Sequence, residues 1–196
     1  MSDKMTRDPA KDDRLILVDA LDRETGLATK EEIHRRGLLH RAFSVLLTEN
    51  GPDGPRFLMA RRAPDKYHCA GLWANSCCSH PRAGETVREA ALRRVREELG
   101  CGVRDPREIG AFLYRASFAD GLTEYEYDHV LLAAPAGEPC PDPREIDAVR
   151  WVSAAELSDL LAREPETFCP WAFTVFSMAL RECCNCQTER QRSDQR

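Results

Sequence analysis

The segment Thr86–Leu99, T-V-R-E-A-A-L-R-R-V-R-E-E-L, constrains this chain more than any other. Val87, Ala91, Val95 and Leu99 recur at every fourth residue, and Gly100 stands where helices commonly stop, so the spacing predicts an α-helix with one apolar stripe. Such a stripe is stable only against a second layer. The strands expected to supply it are Arg14–Asp19, Ala42–Thr48, Arg56–Arg61, Glu108–Phe118, Leu122–Ala134 and Val149–Val152. The turn-rich run G-P-D-G-P over 51–55 joins the second and third, and Asp120-Gly121 joins the fourth and fifth. A polar turn is expected after the first strand, and Lys30–His40 leads into the core. Further helices are expected over Ala154–Arg163 and from Pro170 to about Cys183. The stretch Arg62–Pro81 is aperiodic but too rich in special residues to be a mere linker.

With 196 residues, 42% of them hydrophobic, the chain can bury one sizeable core. The expected organisation is a disordered segment over 1–13, a single domain over 14–184 and a polar, disordered tail over 185–196. The net charge of −5 is dispersed over both signs, which argues against a nucleic-acid or membrane-surface partner and for a small polar substrate. No apolar run is long enough to span a bilayer, and the first residues are charged where a secretory leader needs an apolar core. A cytoplasmic location follows as the expectation. Nine cysteines, an odd number without an export signal, read as reduced thiols rather than as a disulfide framework.

The helix carries the first chemical signal. From Ser79 the chain reads S-x5-E-x7-R-R-V-R-E-E-L-G-C, which sets Glu85, Arg93, Glu97, Glu98 and Gly100 at the spacing of the Nudix box. In that pattern, consecutive helical acids bring oxygen ligands to a divalent metal that neutralises a diphosphate. The bland alternative is a solvated helix laced by Glu89–Arg93 and Arg94–Glu98 pairs. Two positions depart from the box: Ser79 replaces its first glycine, and Arg94 replaces a glutamate. Trading a metal-binding acid for a cation argues against pyrophosphate hydrolysis and leaves diphosphate binding intact.

The second signal is T-E-Y-E-Y-D-H-V-L-L over 123–132. As a strand it puts Glu124, Glu126, Asp128, Val130 and Leu132 on one face, so carboxylates line a face that turns apolar. Buried charge is costly unless paired or metal-bound, which calls for a ligand; the alternative is an edge strand with its acids in water. Of five histidines, His34, His40 and His80 join the two glutamates as a set suited to a first-row ion such as Mn²⁺ or Zn²⁺. His68 and His129 are taken as structural.

G-L-L-H-R-A-F-S-V, R-R-x-x-x-K, N-S-C-C-S-H-P, the altered Nudix helix, E-Y-E and P-W-A-F occur here in the order found in type I isopentenyl-diphosphate isomerases, which the chain resembles from about Lys30 to Phe173. The resemblance implies an α/β (α+β) Nudix-like fold, a mixed β-sheet sandwiched by helices, and interconversion of isopentenyl and dimethylallyl diphosphate, a small-molecule prenyl diphosphate substrate. It assigns catalysis to Cys78, with Cys77 an apolar neighbour, and to Glu126 aided by Tyr114. It puts Lys30, Arg62, Lys66 and Arg94 on the diphosphate, and Trp171 against a carbocation-like state. Glu98 and the backbone carbonyl of Cys78 hold Mg²⁺, while His34, His40, His80, Glu124 and Glu126 hold Mn²⁺ or Zn²⁺. A metal beside Cys78 is expected to favour its thiolate.

The chain has Ala70-Gly71 where the family often has Pro-Gly, and Ala74 for the threonine before Asn75. Cys183 and Cys186 form a C-x-x-C spacing without a second pair. Besides the isomerase, a Nudix pyrophosphohydrolase and a non-catalytic, zinc-stabilised module remain in play. A monomer or weak dimer is expected.

Overall fold

The structure, a computed structural model, describes residues 14–66 and 68–193, with the side chains only up to 183. The expectations for 1–13 and for the Cys183/Cys186 pair fall outside the described residues. Strand β3 (His40–Gly51) is the hub of a nine-stranded sheet. It pairs antiparallel with β1 (Arg14–Val18), β4 (Gly54–Arg62) and β6 (Cys77–Ser79), and parallel with β8 (Thr123–Ala136). Strand β2 (Glu24–Thr29) extends the sheet beyond β1, β7 (Gly102–Ser117) lies beside β8, and β5 (Trp73–Ala74) and β9 (Ile146–Ser153) flank β4.

β3 is apolar on both faces because both are covered. Phe43, Val45 and Leu47 pack with Ala91, Val95 and Leu99 of α2 (Val87–Leu99), in a cluster that also holds Cys77. Leu46 turns the other way, toward Leu157 of α3 (Ala154–Arg163) and Val175 and Phe176 of α4 (Ala172–Ser193). The mixed sheet between helices is thus present as expected. Helix α2 begins with a capping box: Glu89 N–H donates to Thr86 Oγ1 at 3.2 Å, and Thr86 N–H donates to Glu89 Oε2 at 2.9 Å. Gly100 closes it at φ 64°.

Several elements differ from the sequence reading, among them β5 and β6, which lie in the stretch read as aperiodic. The polar turn after β1 continues into β2 and then helix α1 (Lys30–Arg36), capped by Thr29 and by Gly37 at φ 60°. In E-T-G-L-A-T only Ala28 is buried, so no period-two signal exists. β7 starts before Glu108, because a register shift between Arg104 and Arg107, at Asp105 (φ 49°) and Pro106, hides the earlier pairing. The last helix starts at Ala172 rather than Pro170 and runs to Ser193, through the segment expected to be a disordered tail. That segment lacks Gly and Pro up to Ser193 and is rich in Gln, Glu and Arg, all good helix formers. No described helix is long and apolar enough to cross a membrane.

Candidate active site and metal centre

The parallel pairing of β3 with β8 sets His40 opposite Glu126. Glu124, Glu126 and Asp128 are all buried while Tyr125 and Tyr127 between them are partly exposed, as period two requires. The carboxylates therefore point inward. Helix α1 brings His34, whose Nδ1–H donates to Lys30 O at 2.5 Å, and His40 Nδ1–H donates to Leu38 O at 2.9 Å. Both rings thus turn Nε2 toward Glu124, at 2.9 and 3.8 Å. His80 Nε2 lies 2.7 Å from Glu126 Oε1. Candidate ligand atoms of His34, His40, His80 and Glu124 lie within 4.8 Å of one another.

This set fits a divalent cation. His40 Nε2 and Glu124 Oε2 are buried and engaged in no well-aligned hydrogen bond. Stranded polar atoms of this kind are costly unless a ligand takes them up. Burial pushes the His80 imidazole down to about 4, so the ring is neutral and able to coordinate. Burial raises the Glu124 carboxyl, but the contacts with the His34 and His68 rings outweigh it and hold the group well below the usual carboxylate range. Burial and Glu124 act on Glu126 the same way and are overcome by His40 and His80.

One cavity of about 750 Å³, counted out to open solvent, is lined by Cys78, Tyr114, Glu126 and Trp171 together with Lys30, Arg62, Lys66, Arg94 and Glu98. Alternation along β6 separates the adjacent cysteines. Cys77 is buried in the cluster against α2, Cys78 packs against the cluster that holds Trp171, and atoms of both residues line the cavity. Tyr114 sits opposite Glu126 in the β7–β8 register. Burial, then the charge of Glu126, raises the Tyr114 phenol well above its ordinary value. Trp171 Nε1–H donates to Cys78 Sγ at 3.2 Å, and the Arg62 guanidinium lies 5.5 Å from the centre of the indole. Burial, then the Asp128 charge, pushes the Cys78 thiol up to about 12. The surrounding protein groups taken by themselves therefore favour the thiol.

Lys30 is exposed as a residue, but desolvation of its ammonium by the surrounding protein depresses it; Glu124 opposes this, and Lys66, Arg94 and Arg62 add to it, so four cations share one region. Arg94 Nη2 donates to Glu98 Oε1 at 2.5 Å and Nη1 to Glu97 Oε2 at 2.8 Å. Glu98 is buried, which raises its carboxyl against the pull of Arg94.

Two residues line the cavity that the sequence reading set aside or passed over, His68 and Glu145. His68, taken as structural, is buried with Nε2 2.6 Å from Glu124 Oε1 and its ring stacked on Phe118 at 4.6 Å, so it is part of the site. Its place in the aperiodic Arg62–Pro81 stretch was the available signal. Glu145 pairs with Lys66 and lies 3.4 Å from Arg94 Nη2. It follows a Pro/Gly-rich insert, and nothing local marks it. Asp128 accepts from Ser44 Oγ at 2.8 Å. His129 instead bonds Glu108 and Asp22, away from the cavity.

A model of the NUDIX domain matches residues 38–172. An isopentenyl-diphosphate Delta-isomerase of Photobacterium profundum is 44% identical over 173 residues, 87% of this chain and 96% of that protein. One of Serratia proteamaculans is 42% identical over 164 residues, 84% of this chain and 89% of that protein. Among solved structures, one from Deinococcus radiodurans aligns with TM-score 0.64 at 20% identity, over 87% of this chain and 98% of that one. A MutT NUDIX hydrolase from Burkholderia pseudomallei aligns with TM-score 0.57 at 20% identity, over 71% of this chain and 97% of that one. The structural likenesses speak to fold alone. The sequence relatives go further, and by them the chain belongs to the isopentenyl-diphosphate Delta-isomerase family, built on a Nudix domain.

Proposed function

We infer that the protein interconverts isopentenyl diphosphate and dimethylallyl diphosphate. The observation that carries this is the shared lining of one cavity by the thiol–acid pair Cys78 and Glu126 and by four basic side chains. The allylic shift adds a proton to the terminal alkene carbon and removes one from the carbon next to the diphosphate-bearing carbon, so it needs an acid and a base around a flat substrate. Cys78, as the thiolate that a metal beside it would favour, takes the proton leaving the substrate and becomes the thiol. Tyr114 and Glu126 serve the alkene end; since Glu126 is held as a carboxylate and Tyr114 as a phenol, the proton is delivered from the Tyr114 hydroxyl.

Lys30, Arg62, Lys66 and Arg94 bind the diphosphate, the arginines through paired N–H donors. Trp171 offers its ring to the positive charge, worth on the order of 2 kcal/mol in a dry site. His34, His40, His80, Glu124 and Glu126 would hold Mn²⁺ or Zn²⁺, and Glu98 with the Cys78 carbonyl would hold Mg²⁺. Bound, these ions supply positive charge to the buried carboxylates and to the diphosphate oxygens. The catalytic unit spans 14–184, acts as a monomer or weak dimer, and works in the cytoplasm on a small molecule. Hydrolysis is disfavoured by Arg94, which replaces a Nudix-box acid and binds Glu97 and Glu98.

Proton NMR in deuterated water, with isopentenyl diphosphate, Mg²⁺ and Mn²⁺, tests this reading. Deuterium should enter the allylic product without release of phosphate, and Cys78→Ala should abolish turnover while leaving the fold intact. Phosphate release would point to the hydrolase, and full turnover by Cys78→Ala would remove the thiol from the chemistry.

A further inference from the structure

We propose that Cys69 and Cys169 form an oxidative modification site, a thiol pair that a hydroperoxide converts to a disulfide behind one wall of the cavity. Neither cysteine is among the residues that line the cavity, so the pair stands apart from the proposed allylic shift. Two segments distant in sequence bring the thiols together. Trp73 pairs with Phe168 in a parallel bridge, and Cys169 N–H donates to Trp73 O at 2.9 Å. The turn before Trp73 is closed by Leu72 N–H, which donates to Cys69 O at 3.2 Å, and by Arg62 Nη2, which donates to His68 O at 3.2 Å. Both cysteines pack in the same apolar cluster, and their thiols are hydrogen-bonded to each other. Cys69 holds φ at 51°, in the left-handed region that a residue other than glycine seldom occupies. Strain of that kind gathers at functional sites.

The two thiols are not equivalent. Cys69 is half-buried, within reach of a solute as small as a peroxide, while Cys169 is 0% exposed. The Cys169 S–H donates to Cys69 and, with His68 and Arg62, lowers the Cys69 thiol against the opposing effect of burial; burial, then Cys69, raises Cys169. An accessible thiol of thiolate character beside a protected second thiol is the arrangement from which a sulfenic acid is resolved as a disulfide. The Cys69 sulfur attacks one oxygen of the peroxide: the S–O bond forms, the O–O bond breaks, and hydroxide leaves. The Cys169 sulfur then attacks the sulfenic sulfur; the S–S bond forms, the S–O bond breaks, and the departing hydroxyl leaves as water with the Cys169 proton. The thiols are oxidised by two electrons and the peroxide is reduced to water. The link ties the residue after His68 to the second residue before Trp171, and these two rings already meet edge-on at 5.8 Å on the cavity wall. Oxidation therefore fastens that wall from behind.

In the test, the full-length protein is reduced, exposed to hydrogen peroxide at neutral pH, blocked with N-ethylmaleimide and digested without reductant. Peptide mass mapping should find Cys69 joined to Cys169, with fragmentation separating Cys69 from Cys77 and Cys78, and dithiothreitol should abolish the linked species. In Cys169→Ser the link should be lost and Cys69 should accumulate as a sulfenic acid, trapped by dimedone. In Cys69→Ser the buried Cys169 should stay a thiol. The map of the parent protein decides the matter by itself if either variant fails to fold. Cys69 left as a thiol, Cys69 oxidised in the parent to a sulfenic or sulfinic acid without the link, or a link made instead to Cys77 or Cys78 overturns the proposal. Turnover of isopentenyl diphosphate enters none of these readouts, so failure of the isomerase reading would leave them unchanged.

Discussion

The Cys69 thiol is lowered to about 5, chiefly by a hydrogen bond from Cys169 and with help from His68, although burial opposes this. Cys78, nine positions further on, is raised to about 12 by burial and Asp128. Thiolate is the reacting form, so the two should separate cleanly with pH. Iodoacetamide applied to the metal-free protein at pH 7 should label Cys69, which is partly exposed, and spare Cys78. Labelling of Cys69 should fall away only below about pH 5, and labelling of Cys78 should climb into the alkaline range. Peptide mass mapping reads both, and preferential labelling of Cys78 at neutral pH would show that the described neighbours do not govern these thiols. The sequence identified Cys78 through its motif, but no local pattern announced Cys69, whose partner Cys169 is far along the chain.

At the level of elements, α2 is the best-specified piece. Its start and stop are local, so their loss has a local cost. Thr86→Ala removes the capping box and should cost about 1 kcal/mol in urea unfolding. Gly100→Ala should cost more, since φ is 64° and an added Cβ would come within 2.6 Å of the Cys140 carbonyl oxygen. Equal losses in the two would mean that the Cys140 segment yields freely. β2 and α1 were not legible for the converse reason. Their residues are mostly exposed, and they are held in place by caps and by pairing with β1 rather than by an apolar period of their own.

On the scale of the whole molecule, the proposed metal site joins α1, β3, the residue that follows β6, and β8 through His34, His40, His80 and Glu124. An ion held there stabilises the fold by mass action, about 2.7 kcal/mol at a hundredfold excess over Kd. For a chain of this size that corresponds to roughly 5–10 °C in Tm, so chelation should lower Tm by about that amount and Mn²⁺ or Zn²⁺ should restore it. An unchanged Tm after chelation would mean that no ion links these elements.

What the sequence determined by itself was whatever depends on short-range periodicity or on a motif: the apolar stripe of α2 and its stop at Gly100, the shared face of the β8 acids, and the cysteine-rich motif that carries Cys78. Tertiary structure alone decided which distant residues meet. His68 reaches Glu124 across 56 positions and Lys66 reaches Glu145 across 79. Such contacts follow from strand register and loop path, which the packing of the complete sheet between its helices selects and which no local stretch of residues encodes.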